Sequence, residues 1–169
     1  MLIVFDGADK TGKTTLFNQF IAELPEPFTI IRHTPITKEM FEHGVVDFVG
    51  RTEYNIIKQM YDSNKIYVID RFIPSNMVYP IIFNRNNVDL SYNNESDFNI
   101  WYVHVTADPD EVINRERSED KYEHAKYIYL LIKEYEKFFS TRSNNTITIN
   151  TTTEPMDSRV QRIRDFIKV

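Results

Sequence analysis

The 169-residue chain contains no cysteine, which removes disulfides, thiolate catalysis and Cys-based metal sites. It has no excess of basic residues either. With a net charge of −5 it offers no general field for a nucleic-acid backbone. No apolar run approaches the roughly 20 residues that a membrane span needs. The four histidines, His33, His43, His104 and His124, are scattered without ligand spacing and read as surface or packing residues. Met1-Leu2-Ile3-Val4-Phe5 has no basic flank and ends in Asp6-Gly7, so it reads as a strand rather than a signal peptide. The expectation is a cytoplasmic protein with neither membrane nor nucleic acid as partner. What remains is ordinary globular usage, 41% apolar and 27% charged, in a length that suits one domain over residues 1–169.

Strands and helices alternate along the chain. Leu2 to Phe5 is a short apolar run suited to a parallel strand buried on both faces. Leu16, Phe20 and Leu24 then step at helical spacing until Pro25 and Pro27. Phe28 to Ile31 predicts a second strand. Residues 37–64 read as mostly helical, with breaks at Gly44 and near Gly50. Ile66 to Asp70 is a third buried strand that ends in a carboxylate, and Pro74 opens a helix running to about Phe83. The Asn-rich stretch 84–97 has no period and reads as a surface loop. Residues 99–105 predict a fourth strand. Pro109 opens a helix that becomes highly charged from Asn114. Ala125, Ile128, Ile132, Tyr135 and Phe139 mark a long amphipathic helix. Thr146 to Asn150 makes a fifth strand, and Met156, Val160, Ile163 and Ile167 a closing helix. The pattern predicts a three-layer α/β fold with a five-stranded parallel sheet and helices on both faces.

Gly7-Ala8-Asp9-Lys10-Thr11-Gly12-Lys13-Thr14, placed between the first strand and the first helix, meets the pattern G-x-x-x-x-G-K-[ST]. Its glycines let the backbone wrap closely around phosphate oxygens. The loop N–H groups and the helix N-terminus then face the anion. In this motif Lys13 reaches the β- and γ-phosphates of a nucleoside triphosphate and the Thr14 hydroxyl binds magnesium. Gly7 to Thr15 therefore form the expected cradle for ATP. Asp70, at the carboxyl end of the third strand, stands where ligands of open parallel sheets bind and can hold Mg²⁺ or its waters.

With Asp6-Gly7-Ala8-Asp9-Lys10-Thr11-Gly12-Lys13-Thr14-Thr15 and Asp70-Arg71-Phe72-Ile73-Pro74-Ser75-Asn76-Met77-Val78-Tyr79, the chain resembles the thymidylate kinase family of P-loop nucleoside monophosphate kinases. Asp120-Lys121-Tyr122-Glu123 fits a later family segment, so the likeness runs through the whole chain in order. It implies a P-loop NTPase fold with a short lid at about 114–122, a homodimer, and nucleotides as partners. Asp9 would lie beside the deoxyribose or acceptor phosphate. Phe48 would stack on the acceptor base. Arg51 and Arg71 would hold the acceptor nucleotide, Arg71 at its phosphate. Arg32 matches an Arg of the loop after the second strand, and Ser75 and Tyr79 would border the base and sugar. The catalytic cation would be Lys10 in the loop or Arg115, Arg117 or Lys121 in the lid. The chain departs from the family in a short segment between Arg32 and Phe48, and in Pro80, where a base-reading polar residue is usual. Its short length and its wealth of Asn, Lys, Ile and Tyr would suit a virus or an AT-rich genome, which would place it in a host cytoplasm.

The resemblance implies ATP- and Mg²⁺-dependent phosphorylation of a deoxynucleoside monophosphate, dTMP first. A phosphate acceptor needs no general base, since its second pKa is about 6; it needs cations and alignment. The alternatives are a deoxynucleoside kinase, whose hydroxyl acceptor benefits from a carboxylate base, and a non-catalytic nucleotide-binding regulator. Arg32-His33 and Asp70-Arg71-Phe72 stand where nucleoside kinases carry Glu and Glu-Arg-Ser.

Overall fold

The computed structural model describes residues 1–25, 27–34, 36, 39–40, 43–83, 89–115 and 121–168, with side chains from residue 127 onward in the last stretch. Five strands, β1 (Leu2–Asp6), β2 (Phe28–Arg32), β3 (Ile66–Asp70), β4 (Ile100–Thr106) and β5 (Thr146–Asn150), form one sheet. All pairs are parallel, in the order β2-β3-β1-β4-β5. The opening apolar run thus lies at the centre of the sheet, where every residue from Leu2 to Asp6 is buried.

Helices α1 (Lys13–Glu23) and α6 (Met156–Ile167) cover one face, with Leu16, Phe17, Phe20, Val160 and Ile163 packed on Ile3, Phe5, Val68 and Val103. Helices α2 (Val46–Met60), α3 (Ile73–Ile82), the short α4 (Pro109–Asn114) and α5 (Lys121–Ser140) serve the other face. There Tyr54, Val78, Val112, Leu131 and Tyr135 pack on Leu2, Val4, Ile69 and Tyr102. Two apolar layers on one sheet explain the hydrophobic runs of β1, β3 and β4, which need both faces dry; the edge strands β2 and β5 are mostly part-exposed. His104 is a packing residue, stacked on Phe139 at 4.5 Å, and its burial pushes the imidazole down to about 4.

The expected break near Gly50 is absent: α2 runs through it without interruption. Gly50 is small for a packing reason, since a Cβ there would lie 2.9 Å from Tyr92 Oη and 3.1 Å from Asn76 Oδ1. The described part of the 84–97 loop, from residue 89, carries a 3₁₀ turn at Glu95–Asp97. It is tied to α2: Tyr54 Oη donates to Asp97 Oδ2 at 2.5 Å, and Lys58 pairs with the same carboxylate at 2.5 Å. The parallel topology puts the carboxyl ends of β1 and β3 side by side, with Phe5 level with Asp70.

Gly7 is the tightest point of that junction. A Cβ built on it would lie 2.0 Å from the Val105 carbonyl oxygen, a backbone atom that cannot yield. Gly7→Ala is expected to destabilise the fold by roughly 3 kcal/mol or more, a loss of about 6 °C or more in Tm, readable in a thermal melt.

Candidate active site

The P-loop leaves β1 at Asp6 and enters α1 at Lys13. Gly12 takes the left-handed conformation, φ 85°, and Lys10 does so as well at φ 60°. The turn is held from within by Thr11 Oγ1 donating to the Ala8 carbonyl at 3.0 Å. From outside, Thr151 Oγ1 donates to the Thr11 carbonyl at 2.6 Å. Helix α1 has no side-chain cap and no acidic residue in its first turn. Its N-terminal N–H groups and positive dipole end therefore face the loop, a ready anion site.

Beside the loop, the Asp6 carboxylate is fully buried. It accepts from the N–H groups of Gly7, Phe72 and Ser75 at 2.8, 3.0 and 3.1 Å. It also accepts from Ser75 Oγ at 2.7 Å and Tyr135 Oη at 3.0 Å. Helix α3 has no side-chain cap of its own; Asp6 supplies one from the neighbouring strand.

Arg71 follows β3 in a left-handed conformation, φ 68°, which turns its side chain back across the loop. Nη1 donates to the Gly7 carbonyl at 3.2 Å and to Ser75 Oγ at 3.1 Å. Nη2 meets Asp9 Oδ1 at 2.5 Å, and the guanidinium lies over the Tyr79 ring at 5.5 Å. Non-glycine residues in this region are uncommon and cluster at functional sites.

These groups line one open cleft of ≈ 920 Å³, with Asp9, Lys10, Lys13, Thr14, Asp70 and Arg71 at one end. Ser75, Asn76, Tyr79, Pro80, Phe83, Tyr92 and Tyr127 continue its walls, and Val46, Asp47 and His33 also face it. The Lys13 ammonium is buried, and that burial, aided by the Arg71 charge, pushes it down to about 8 against the pull of Asp6, Asp70 and Asp9. Thr14 and Asp70 offer a hydroxyl and a carboxylate at the cradle, oxygen donors of the kind Mg²⁺ takes together with waters and substrate phosphates. Among the described residues no group of three or more His, Cys, Asp or Glu is placed to hold a metal ion, at the cleft or away from it.

The sequence expectations divide here. Asp9, Lys10, Lys13, Thr14, Asp70, Arg71, Ser75 and Tyr79 meet in the cleft, with Gly7, Ala8, Thr11 and Gly12 as the loop itself; Thr15 is exposed on α1 beyond it. Arg115 stands at the end of α4 and donates from Nη1 to the Lys10 carbonyl at 3.1 Å, so one cation of the expected lid touches the P-loop. Arg117, and the side chains of Lys121 and Ala125, lie outside the described residues.

Three of the expected residues stand outside the cleft lining. Phe48 is 70% exposed and does not line the cleft, because α2 turns its neighbour Asp47 inward instead. Arg51 bonds Asp89 Oδ2 at 2.7 Å on the surface and is not a cleft residue. Arg32 donates to Asn18 Oδ1 at 2.8 Å and lies over Phe17 at 4.9 Å; it is outside the lining, although its Nη1 stands 4.0 Å from Oδ2 of the cleft residue Asp70. Sequence reasoning missed Asp6, Tyr135, Asp47, Tyr92 and His33, whose Nδ1 meets Glu53 Oε2 at 2.5 Å. A phenol within the apolar stripe of α5 was the one visible signal for Tyr135.

No protein-family model matches the sequence, and no curated protein matches it. Among solved structures, thymidylate kinase from Candida albicans superposes with a TM-score of 0.70 at 14% identity, over 99% of this chain and 90% of its own. The YorR protein from Bacillus subtilis, in complex with phosphorylated GDP, gives 0.67 at 22% identity, over 99% and 96%. Deoxyadenosine kinase from M. mycoides, with bound dCTP, gives 0.63 at 17%, over 99% of both chains. At these identities the likeness is one of fold: the chain has the thymidylate kinase-like P-loop fold.

The depressed Lys13 has a measurable consequence. An arriving polyphosphate favours the ammonium and raises its pKa. Above about pH 8 the free protein holds a growing share of Lys13 neutral, and a complex that keeps it charged takes up a proton on binding. Below pH 7 the lysine is charged in both states and contributes no uptake. Titration calorimetry of ATP or tripolyphosphate in buffers of different ionisation enthalpy is expected to show this uptake at pH 9, and Lys13→Met to abolish it.

Proposed function

We propose that this protein is a nucleoside monophosphate kinase, transferring the γ-phosphoryl group of ATP, with Mg²⁺, to the phosphate of a deoxynucleoside monophosphate. The observation that carries this reading is the pair of separate anion sites in one cleft: the uncapped P-loop with Lys13, and Arg71 held in a strained conformation at the end of the adjacent strand. The thymidylate kinases that share the fold support the same reading, whereas the deoxyadenosine kinase that shares it corresponds to the alternative, transfer to a nucleoside.

An oxygen of the acceptor phosphate attacks the γ-phosphorus, the bond from that phosphorus to the β,γ-bridging oxygen breaks, and ADP departs with those electrons. The acceptor is already largely dianionic at neutral pH, so no proton has to be removed. Two anions must instead be brought together and aligned. Lys13 and the α1 N-terminus hold the donor phosphates. Arg71 offers a planar fork suited to bidentate phosphate binding, and Asp9 keeps it oriented until the acceptor takes over its N–H groups. Arg115, already in contact with the Lys10 carbonyl, brings a further cation to the transferring group. Mg²⁺, held by Thr14 with Asp70 or its waters, would neutralise the donor phosphates.

Transfer to a sugar hydroxyl would call on a carboxylate base. Asp9 is the carboxylate nearest that role, and its Oδ1 is already engaged by Arg71 Nη2 at 2.5 Å. The resemblance to thymidylate kinases would make dTMP the acceptor, but Phe48, on which stacking of that base was to rest, is outside the cleft. The homodimer it also implies would find an apolar face in the outer stripe of α2, where Phe48, Ile56 and Met60 are exposed; light scattering at micromolar concentration is expected to give twice the chain mass, and a monomer would remove it.

ADP release from ATP is expected with deoxynucleoside monophosphates and to be slower with the matching nucleosides; a nucleoside outpacing every monophosphate would replace this reading. Lys13→Ala is expected to lower kcat by on the order of 10²–10³ with the fold intact. Arg71→Lys, lacking the fork, is expected to cost about a hundredfold in kcat/KM for the monophosphate while sparing the KM for ATP.

A further inference from the structure

The far end of the cleft is built by α2, α3 and the segment around Tyr92. Ser75, hydrogen-bonded to Arg71, marks the phosphate end of α3. Pro80 lies five residues further on, roughly 7–8 Å along the helix axis, and with Asn76, Tyr92, Val46 and Asp47 it lines the part of the cleft left for the base. Asp47 stands in the first turn of α2. Its i+4 neighbour Arg51 is the cation placed to neutralise it on the helix surface. Arg51 turns away, bonding Asp89 at 2.7 Å and lying over the Tyr92 ring at 5.1 Å. Asp47 accepts no hydrogen bond and forms no ion pair among the described residues. Gly50, one turn on, leaves room for the Tyr92 hydroxyl and the Asn76 amide to close in beside it.

We infer that Asp47 selects the acceptor base, favouring bases with an exocyclic amino group over thymine; this rests on the monophosphate kinase reading. An ionised carboxylate only accepts hydrogen bonds. Cytosine and adenine present an amino group to it, and guanine presents adjacent ring and amino N–H groups that can engage both oxygens. Thymine presents a single N–H flanked by two carbonyl oxygens, so a carboxylate approaching it meets negative dipoles on either side. Asn76 and Tyr92 can donate or accept and adapt to any base, whereas Asp47 cannot. Rejection through an unpaired or repelled polar group is a stronger filter than a missing contact.

The test is kcat/KM for dGMP, dCMP, dAMP and dTMP with ATP, on the parent protein and on Asp47→Asn, with the four matching deoxynucleosides alongside and calorimetric binding of each acceptor. The parent is expected to use at least one amino-bearing monophosphate ten times or more better than dTMP. Asp47→Asn is expected to shrink that ratio at least tenfold, with the KM for ATP and the Tm unchanged. A parent that uses dTMP as well as the others, or a ratio untouched by the substitution, overturns the inference while leaving the kinase reading standing. If only nucleosides react, the monophosphate reading falls, and the ratio of amino-bearing nucleosides to thymidine decides the role of Asp47 on its own. Neither turnover nor binding with any acceptor overturns both.

Discussion

The buried Asp6 carboxylate is the interaction on which the site depends. A charge with no solvent contact is costly unless its lone pairs are filled, and five donors fill them: the N–H groups of Gly7, Phe72 and Ser75 and the hydroxyls of Ser75 and Tyr135. These come from the P-loop, the turn after β3, α3 and α5. One acceptor therefore fixes the position of both anion-binding parts relative to each other. Arg71 shares the arrangement through Ser75 Oγ and the Gly7 carbonyl, so a guanidinium that must meet a phosphate is located by the same carboxylate that opens the phosphate loop.

Strain is distributed to match. Three described non-glycine residues have positive φ. Lys168 ends α6, an ordinary place for a left-handed residue. The other two, Lys10 and Arg71, both line the cleft, and each costs about 1–2 kcal/mol of backbone energy. The network around Asp6 supplies the rigidity that holds Arg71 there. The same economy is visible in α1, whose first turn carries no capping side chain and no acid: its dipole and N–H groups are kept for negative charge from outside the helix.

At the opposite end of the cleft the chemistry is set by packing rather than by a motif. Gly50 is accommodated within α2 at a cost of about 1 kcal/mol in helix propensity, and it admits Tyr92 and Asn76 against the helix. The segment carrying Tyr92 is tied down by Tyr54, Lys58 and Arg51 through Asp97 and Asp89. Asp47 is thereby left facing the cleft, while Phe48 faces outward.

What the sequence by itself determined is the part governed by local spacing. Periodicity placed five strands and their helices, and the Gly7–Thr14 pattern located the phosphate cradle, because a loop that wraps an anion needs its residues consecutive in the chain. Asp70-Arg71 was legible for a related reason: a strand end in a parallel sheet delivers its next residue to the same edge. What only the tertiary structure decided is which side chains from distant segments share a volume. The rotation of α2 depends on how its buried stripe, Gly50, Tyr54 and Ile57, seats against neighbouring elements, and a rotation of one residue exchanges Phe48 for Asp47. Arg32 and Arg51 have the right charge, but each found a nearer partner, in Asn18 and Asp89, that no spacing rule could reveal. Asp6 and Tyr135 are 129 residues apart, and their hydrogen bond exists only because the sheet and α5 close over the same buried point.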